Sequence, residues 1–344
     1  MEGRCCQGCV YAYYKQEHAF FIPCRRYFFM EAGDFSQNLA DRLIKACLDS
    51  GDPQLSPAIV LEEARANSSC SDDPWALNLN LSFNPERCIL VSSWNIGNQV
   101  PPAHDPLQHF KEKAAYLDSA VLTASCAWPY CDLLHMHSGG SAAKSYSSVF
   151  SILLRLRACQ SRLHSSWLVL SRPCSQQPIS NDIEQQLGSH QNLRTLRMWH
   201  RQALHFITGL QQHIQGRLFG ANWQSLIDGL TSKPVDVAEM ATLHSEYLES
   251  ALETCLLPQP NSSDPGVAPL VGAVIACEGF SVLCCSFLSS GGSHVPSALN
   301  YSCGWFELLQ LSHEDINANL RNAMIGLRNS TSVAGLDVVM SCVM

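Results

Sequence analysis

Between Arg197 and Leu257 the apolar residues return at helical spacing. Trp199, Ala203, Phe206, Ile207, Leu210, Ile214 and Leu218 share one stripe, and Trp223, Leu226, Ile227 and Leu230 continue it past Gly220. Val237, Met240, Leu243, Tyr247, Leu248 and Ala251 predict a second helix, which Pro258 stops. Gln, His, Glu and Arg fill the opposite faces, so these are amphipathic helices joined by short turns, the pattern of a bundle. Trp223 lies on the stripe where two helices meet, which predicts a buried position.

Upstream, Val149, Ile152, Leu153, Leu156, Cys159, Leu163 and Trp167 predict a helix over 142–170 whose start Ser141 caps. A helical pattern runs from His18 to Leu48, with Pro23 near its start and Gly33 as a break; Pro57 suits the first turn of a helix reaching about Arg65. Residues 75–122 carry the weakest pattern, apart from a helix expected over 110–122. One more helix is expected at 308–327. Loops are predicted near 67–74, 95–108, 171–191 and 258–269. The expected fold class is all-α: a mainly antiparallel helical bundle with long irregular loops and almost no strand.

Composition narrows the function. At 344 residues, 46% of them hydrophobic, the chain can bury a sizeable core and is not globally disordered. Charged residues make up 15%, against about 25% in an ordinary soluble domain, so either Ser, Gln, Asn and His supply the polar surface or part of the apolar surface is covered by partners. A net charge of −8 argues against a nucleic-acid binder, which needs a basic face. The start, MEGRCCQGCVYAYYKQEH, has no charged-then-apolar leader, and the 17 cysteines are expected as reduced thiols in core positions. The apolar run 267–288 is interrupted by Gly272, Glu278 and Gly279 and does not read as a membrane span.

The isolated chemical motifs read better as structure. Cys6-Gln7-Gly8-Cys9 has no second pair at zinc-ribbon spacing, and Cys126, Cys131, His135 and His137 form only a loose set of soft ligands. Ser141-Ala-Ala-Lys144 matches S-x-x-K without its companion strings and reads as a helix start. His205, His213 and His244 fall at helical spacing among core positions and are expected as half-buried, hydrogen-bonded residues, not general bases. Neither glycine-rich phosphate loop occurs, and no carboxylate pair stands out. No catalytic residue, metal or cofactor is therefore assigned, and enzyme activity is not expected.

Three blocks in chain order carry a family resemblance. The first is Arg25-Arg26-Tyr27-Phe28-Phe29-Met30-Glu31-Ala32-Gly33-Asp34-Phe35. The second joins Trp128-Pro129 and Asp132-Leu133-Leu134 to the run Tyr146–Leu156. The third holds His205-Phe206, Leu210-Gln211, Ile214, Trp223, Leu226, Leu230, Asp236, His244, Tyr247-Leu248 and Leu256-Leu257. Together they resemble the carboxy-terminal domain of gamma-tubulin complex components. The phrase GDFSQNLADRLI, Gly33 to Ile44, is most similar to the family's sixth type.

The resemblance implies a domain over 18–288, flanked by an irregular terminus (1–17) and a divergent segment (289–344) in which the family pattern is lost. The family's amino-terminal half is missing, so the chain looks like a fragment. The resemblance also implies a gamma-tubulin-binding subunit that stands beside other gamma-tubulin complex components in a ring, templates tubulin addition and so nucleates microtubules. GTP would belong to the tubulin. The implied place is the cytoplasm and cytoskeleton, at microtubule-organising centres and spindle poles, without nucleic-acid or membrane partners. In the first block Arg25, Arg26, Phe28, Asp34 and Phe35 are the expected partner-binding residues, since Arg and aromatic side chains dominate interface hot spots. The competing reading puts these aromatics in the core. Trp128, Pro129, His205, Phe206, Trp223, His244 and Tyr247 are expected as structural motif residues, and the Trp-Pro block as a turn without metal. The alternatives are a generic α-helical scaffold without tubulin binding, for which no internal repeat is found, and a zinc-dependent module.

Overall fold

The architecture is known from a computed structural model that describes residues 21–45, 56–83, 120–124, 140–171, 190–232, 237–257, 267–289 and 304–327. Helices dominate the described residues. They are α1 (21–28), α2 (Gly33–Ile44), α3 (Pro57–Ala66), α4 (Pro74–Leu77), α5 (Ser141–Leu170), α6 (His190–Phe219), α7 (Ala221–Ser232), α8 (Val237–Thr254), α9 (Val267–Ser289) and α10 (Trp305–Leu327). Two short strands, β1 (Leu79–Phe83) and β2 (Ala120–Ala124), pair antiparallel with Leu81 opposite Leu122.

The helical stripes fall where their period places them. Every residue of the stripe from Trp199 to Leu218 is buried, as are Val149, Ile152, Leu153, Leu156, Cys159 and Leu163 on α5. Each such aliphatic side chain contributes about 1.5–3 kcal/mol when fully removed from water. α5 is the hub, packing against α2, α6, α8, α9 and β2. Cross-pairs set the helix directions. Leu170 meets Arg197, Ser166 meets His200 and Gln160 meets Thr208, so α5 and α6 are antiparallel. Asn222 reaching Thr254 and Trp223 lying against Tyr247 make α7 and α8 antiparallel too. By contrast Arg155 pairs with Glu278 and Arg162 with Ser281, so α9 runs parallel to α5. The bundle is thus only partly antiparallel.

α9 is the most deeply buried helix. It is long and apolar enough to cross a membrane by length and composition, yet most of it is enclosed by this protein. The interruptions expected at Gly272, Glu278 and Gly279 do not break it. Glu278 is neutralised by Arg155, which donates to it from Nε at 2.9 Å and again from Nη2. Gly272 sits close against α10: a Cβ there would lie 2.5 Å from Oδ1 of Asn319, whose side chain would have to shift. The buried cysteines, among them Cys159, Cys277 and Cys284, are thiols. Burial pushes the Cys159 thiol up to about 12.

Several expectations need correction. Residues 120–122 are strand, not the end of a helix; Ala120 and Leu122 point inward while Val121 and Thr123 are half-exposed. Its partner β1, Leu-Asn-Leu-Ser-Phe, alternates apolar and polar residues, the period-two signal of a half-buried strand. α5 starts after Gly140 without a side-chain cap, so Ser141 is its first helical residue and caps nothing. Gly33 opens α2; the chain turns instead at Met30, which has a left-handed φ of 59° and a buried side chain. α9 begins at Val267, inside the loop expected over 258–269. Trp223 is half-buried, because α7 sits at the rim, and Trp167 is likewise half-buried. His213 is half-buried as expected, but His205 is exposed and His244 fully buried, as is His200 one turn before Leu204.

Candidate functional site

The block from Arg25 to Phe35 spans α1, the Met30 turn and the first residues of α2. Its aromatic half is core. Tyr27, Phe28, Phe29 and Phe35 are all at most 1% exposed. Phe28 and Phe29 pack on Tyr146 of α5, Phe29 also on Tyr247 of α8, and Tyr27 meets Phe35 edge to face at 5.4 Å. Phe28 and Phe35 therefore cannot serve as partner anchors in the folded chain, and the competing reading holds for them. The sequence shows an aromatic run but not which of its members tie α1 to α2, α5 and α8.

The polar half has partners within the chain. Arg26 donates from Nη1 to Asp73 at 2.7 Å, and the Tyr27 hydroxyl donates to the same carboxylate at 2.5 Å. Burial, then this hydrogen bond, raises the Tyr27 hydroxyl well above its ordinary value. Asp34 accepts the Ser69 backbone N–H at 2.6 Å, which holds its carboxyl below the usual carboxylate range. The loop at 67–74 is thus pinned by Arg26, Tyr27 and Asp34, while Asp73 also caps α4 through the Trp75 N–H. These contacts join segments some 40 residues apart, and no local pattern announces them.

Arg25 points elsewhere. Its guanidinium grips Glu31, with Nε donating at 2.8 Å, and lies 4.5 Å from the centroid of Trp223. The Arg25 and Glu31 side chains are 21% and 33% exposed. Beneath this rim Trp223 meets Tyr247 edge-on at 6.0 Å. Tyr247 is 5% exposed, and its hydroxyl has no hydrogen-bond partner among the described residues. Deeper still, the Tyr146 hydroxyl and His244 Nε2 share a hydrogen bond of 3.0 Å, and burial pushes His244 down to about 4, so it is neutral at ordinary pH. Arg25, Glu31 and Trp223 form a small charged-aromatic rim over an aromatic core, suited to contact rather than catalysis.

Of the other motif residues, Phe206 lies in the core, and Trp128 and Pro129 fall outside the described residues. So do Asp236, Cys6, Cys9, Cys126, Cys131, His135 and His137. Among the described residues no group of three His, Cys, Asp or Glu side chains is placed to hold a metal.

The block also falls inside a family match. Residues 22–271 match the model of the gamma tubulin complex component C-terminal domain. The chain belongs to this family. The match opens in α1 and closes early in α9, so α10 lies beyond the family pattern. Among curated proteins the chain is similar to gamma-tubulin complex component 6 of Homo sapiens, 24% identical over 246 residues, which cover 70% of this chain and 12% of that protein. The protein of the same name from Mus musculus is 26% identical over 246 residues, 69% of this chain and 12% of its own length. The chain therefore spans about 12% of the curated relatives it matches.

Proposed function

We propose that this chain acts as a non-enzymatic subunit of the gamma-tubulin complex that binds gamma-tubulin, stands beside other components and contributes to microtubule nucleation at centrosomes and spindle poles. The observation that carries this reading is the family match, which extends over 22–271 and takes in α1 through α8. The physical role is positioning. Holding several tubulins in register beforehand removes part of the entropic barrier to a first ring of subunits. Of the five residues expected at the interface, Arg25, Arg26 and Asp34 reach the surface. Arg25 with Glu31 and Trp223 offers the residue types found at interface centres, so this rim is the contact patch of the reading, whereas Arg26 and Asp34 face the loop at 67–74 instead.

Arg26 is a poor probe, because its reversal would face Asp73. The charge swap Arg25→Glu with Glu31→Arg keeps the pair while reversing its polarity. In a pull-down with purified gamma-tubulin the parent chain is expected to be retained, and the swapped chain to bind about ten-fold more weakly with an unchanged thermal midpoint. A folded parent chain that fails to retain gamma-tubulin overturns the function. Equal binding by parent and swap moves the contact away from this rim.

A further inference from the structure

Charge is segregated in this chain. Neither α5 nor α6 contains an Asp or Glu, although the whole chain carries a formal net charge of −8. Where the end of α5 meets the start of α6 they enclose an open cleft of about 560 Å³, lined by Trp167, Arg194, Arg197, Met198 and Arg201 among others. Met198 is 53% exposed, and Leu168, next to Trp167, is 64% exposed. Large apolar side chains left in water beside a basic cleft call for an explanation.

The three arginines differ. Arg197 donates from Nε to the Leu170 carbonyl at 2.7 Å, closing the end of α5, so its role is structural. The Arg201 guanidinium lies over the Trp167 ring, 5.6 Å from its centroid. Arg194 is exposed. Among the described residues neither Arg194 nor Arg201 has a carboxylate partner, in contrast to Arg25, Arg26 and Arg155. Helix-end electrostatics accounts for Arg197, and the Trp167 ring holds Arg201 in place without neutralising its charge.

We propose that this cleft docks an extended acidic peptide segment of a partner protein. Its carboxylates would pair with Arg194 and Arg201, and an apolar side chain would insert between Trp167 and Met198. Guanidinium forks match carboxylates in two-point geometry. Trp, Arg and Met are the side chains that interfaces select. The volume suits a few peptide side chains, not a folded surface. A nucleic-acid strand fits less well: its phosphates need a long basic track, and the rest of this acidic chain repels them. The cleft is separate from the Arg25 rim, and the proposal does not rest on gamma-tubulin binding.

The test uses the full chain and a fluorescein-labelled peptide of alternating glutamate and serine with a central leucine-phenylalanine pair. Fluorescence anisotropy should show saturable binding that salt weakens. Arg194→Glu with Arg201→Glu, leaving Arg197 to close α5, should weaken it about ten-fold with an unchanged thermal midpoint, whereas the charge swap at Arg25 and Glu31 should leave it unaltered. No binding by the parent chain, or equal binding by the double variant, overturns the proposal. So does a single-stranded oligonucleotide that binds the same arginines more tightly than the peptide, or self-association of the chain that the double variant abolishes.

Discussion

Two Arg–Glu pairs in this protein share one fork geometry and have opposite surroundings. Arg25 and Glu31 meet at the rim, their side chains 21% and 33% exposed. Arg155 and Glu278 meet between α5 and α9, 4% and 1% exposed. In water the rim pair gains little, because screening and side-chain entropy offset its attraction. Its consequence is positional: it holds a guanidinium over Trp223. The inner pair has no water to fall back on. It lets a carboxylate sit inside the most apolar helix, and each partner is costly once the other is gone. The same chemistry presents a surface in one place and carries a constraint in the other.

The largest effect should come from breaking the inner pair. Glu278→Ala or Arg155→Ala is expected to cost about 3–5 kcal/mol, because each leaves a buried charge unmatched. Arg155→Met together with Glu278→Leu should cost less than either single change, as both charges leave together. Urea unfolding of the four proteins checks this. Single variants that lose no more than about 1 kcal/mol would make the inner pair behave like the rim pair.

Acid should strike the interior next. Burial pushes His200, His244 and His313 down to about 4 in the folded chain, against about 6.5 unfolded. The folded state thus binds fewer protons, so their contribution is fully present above pH 6.5 and is lost as pH falls toward 4. For His244, which is 2% exposed, that is roughly 3 kcal/mol. His244→Phe should flatten this part of the pH–stability profile, as read by thermal midpoints from pH 7 down to 4. A profile that keeps its full slope would place the titration elsewhere.

The smallest effect should be at the rim. Glu31→Gln is expected to change stability by about 1 kcal/mol or less, and added salt should shrink even that. A larger loss, insensitive to salt, would mean that Arg25 and Trp223 are as constrained as the inner pair, and the contrast would fail.

Much of the helical plan was legible from one strand of residues. The stripes of α5, α6 and α8 needed only a period of 3.6, since a helix that buries one face must repeat its apolar residues at that interval. The hairpin was legible in principle: Leu79 to Phe83 alternates cleanly, but the segment is short and lies in a stretch with little pattern around it. The candidate site was legible as a block and not as a surface. Arg25 to Phe35 stands out by composition, yet the fates of Phe28 and Phe35 depend on Tyr146 and Tyr27 being in place beside them.

Local order along the chain therefore determined which segments are helices, which faces they bury and, through three blocks in register, the family. Tertiary structure alone decided that α9 lies parallel to α5, that Glu278 finds Arg155 at a separation of 123 residues, and that the loop around Asp73 is claimed by Arg26 and Tyr27. The division has a physical cause. Helix periodicity follows from backbone geometry, which each residue shares with its near neighbours, whereas charge pairing and exposure depend on distances between segments that only packing brings together.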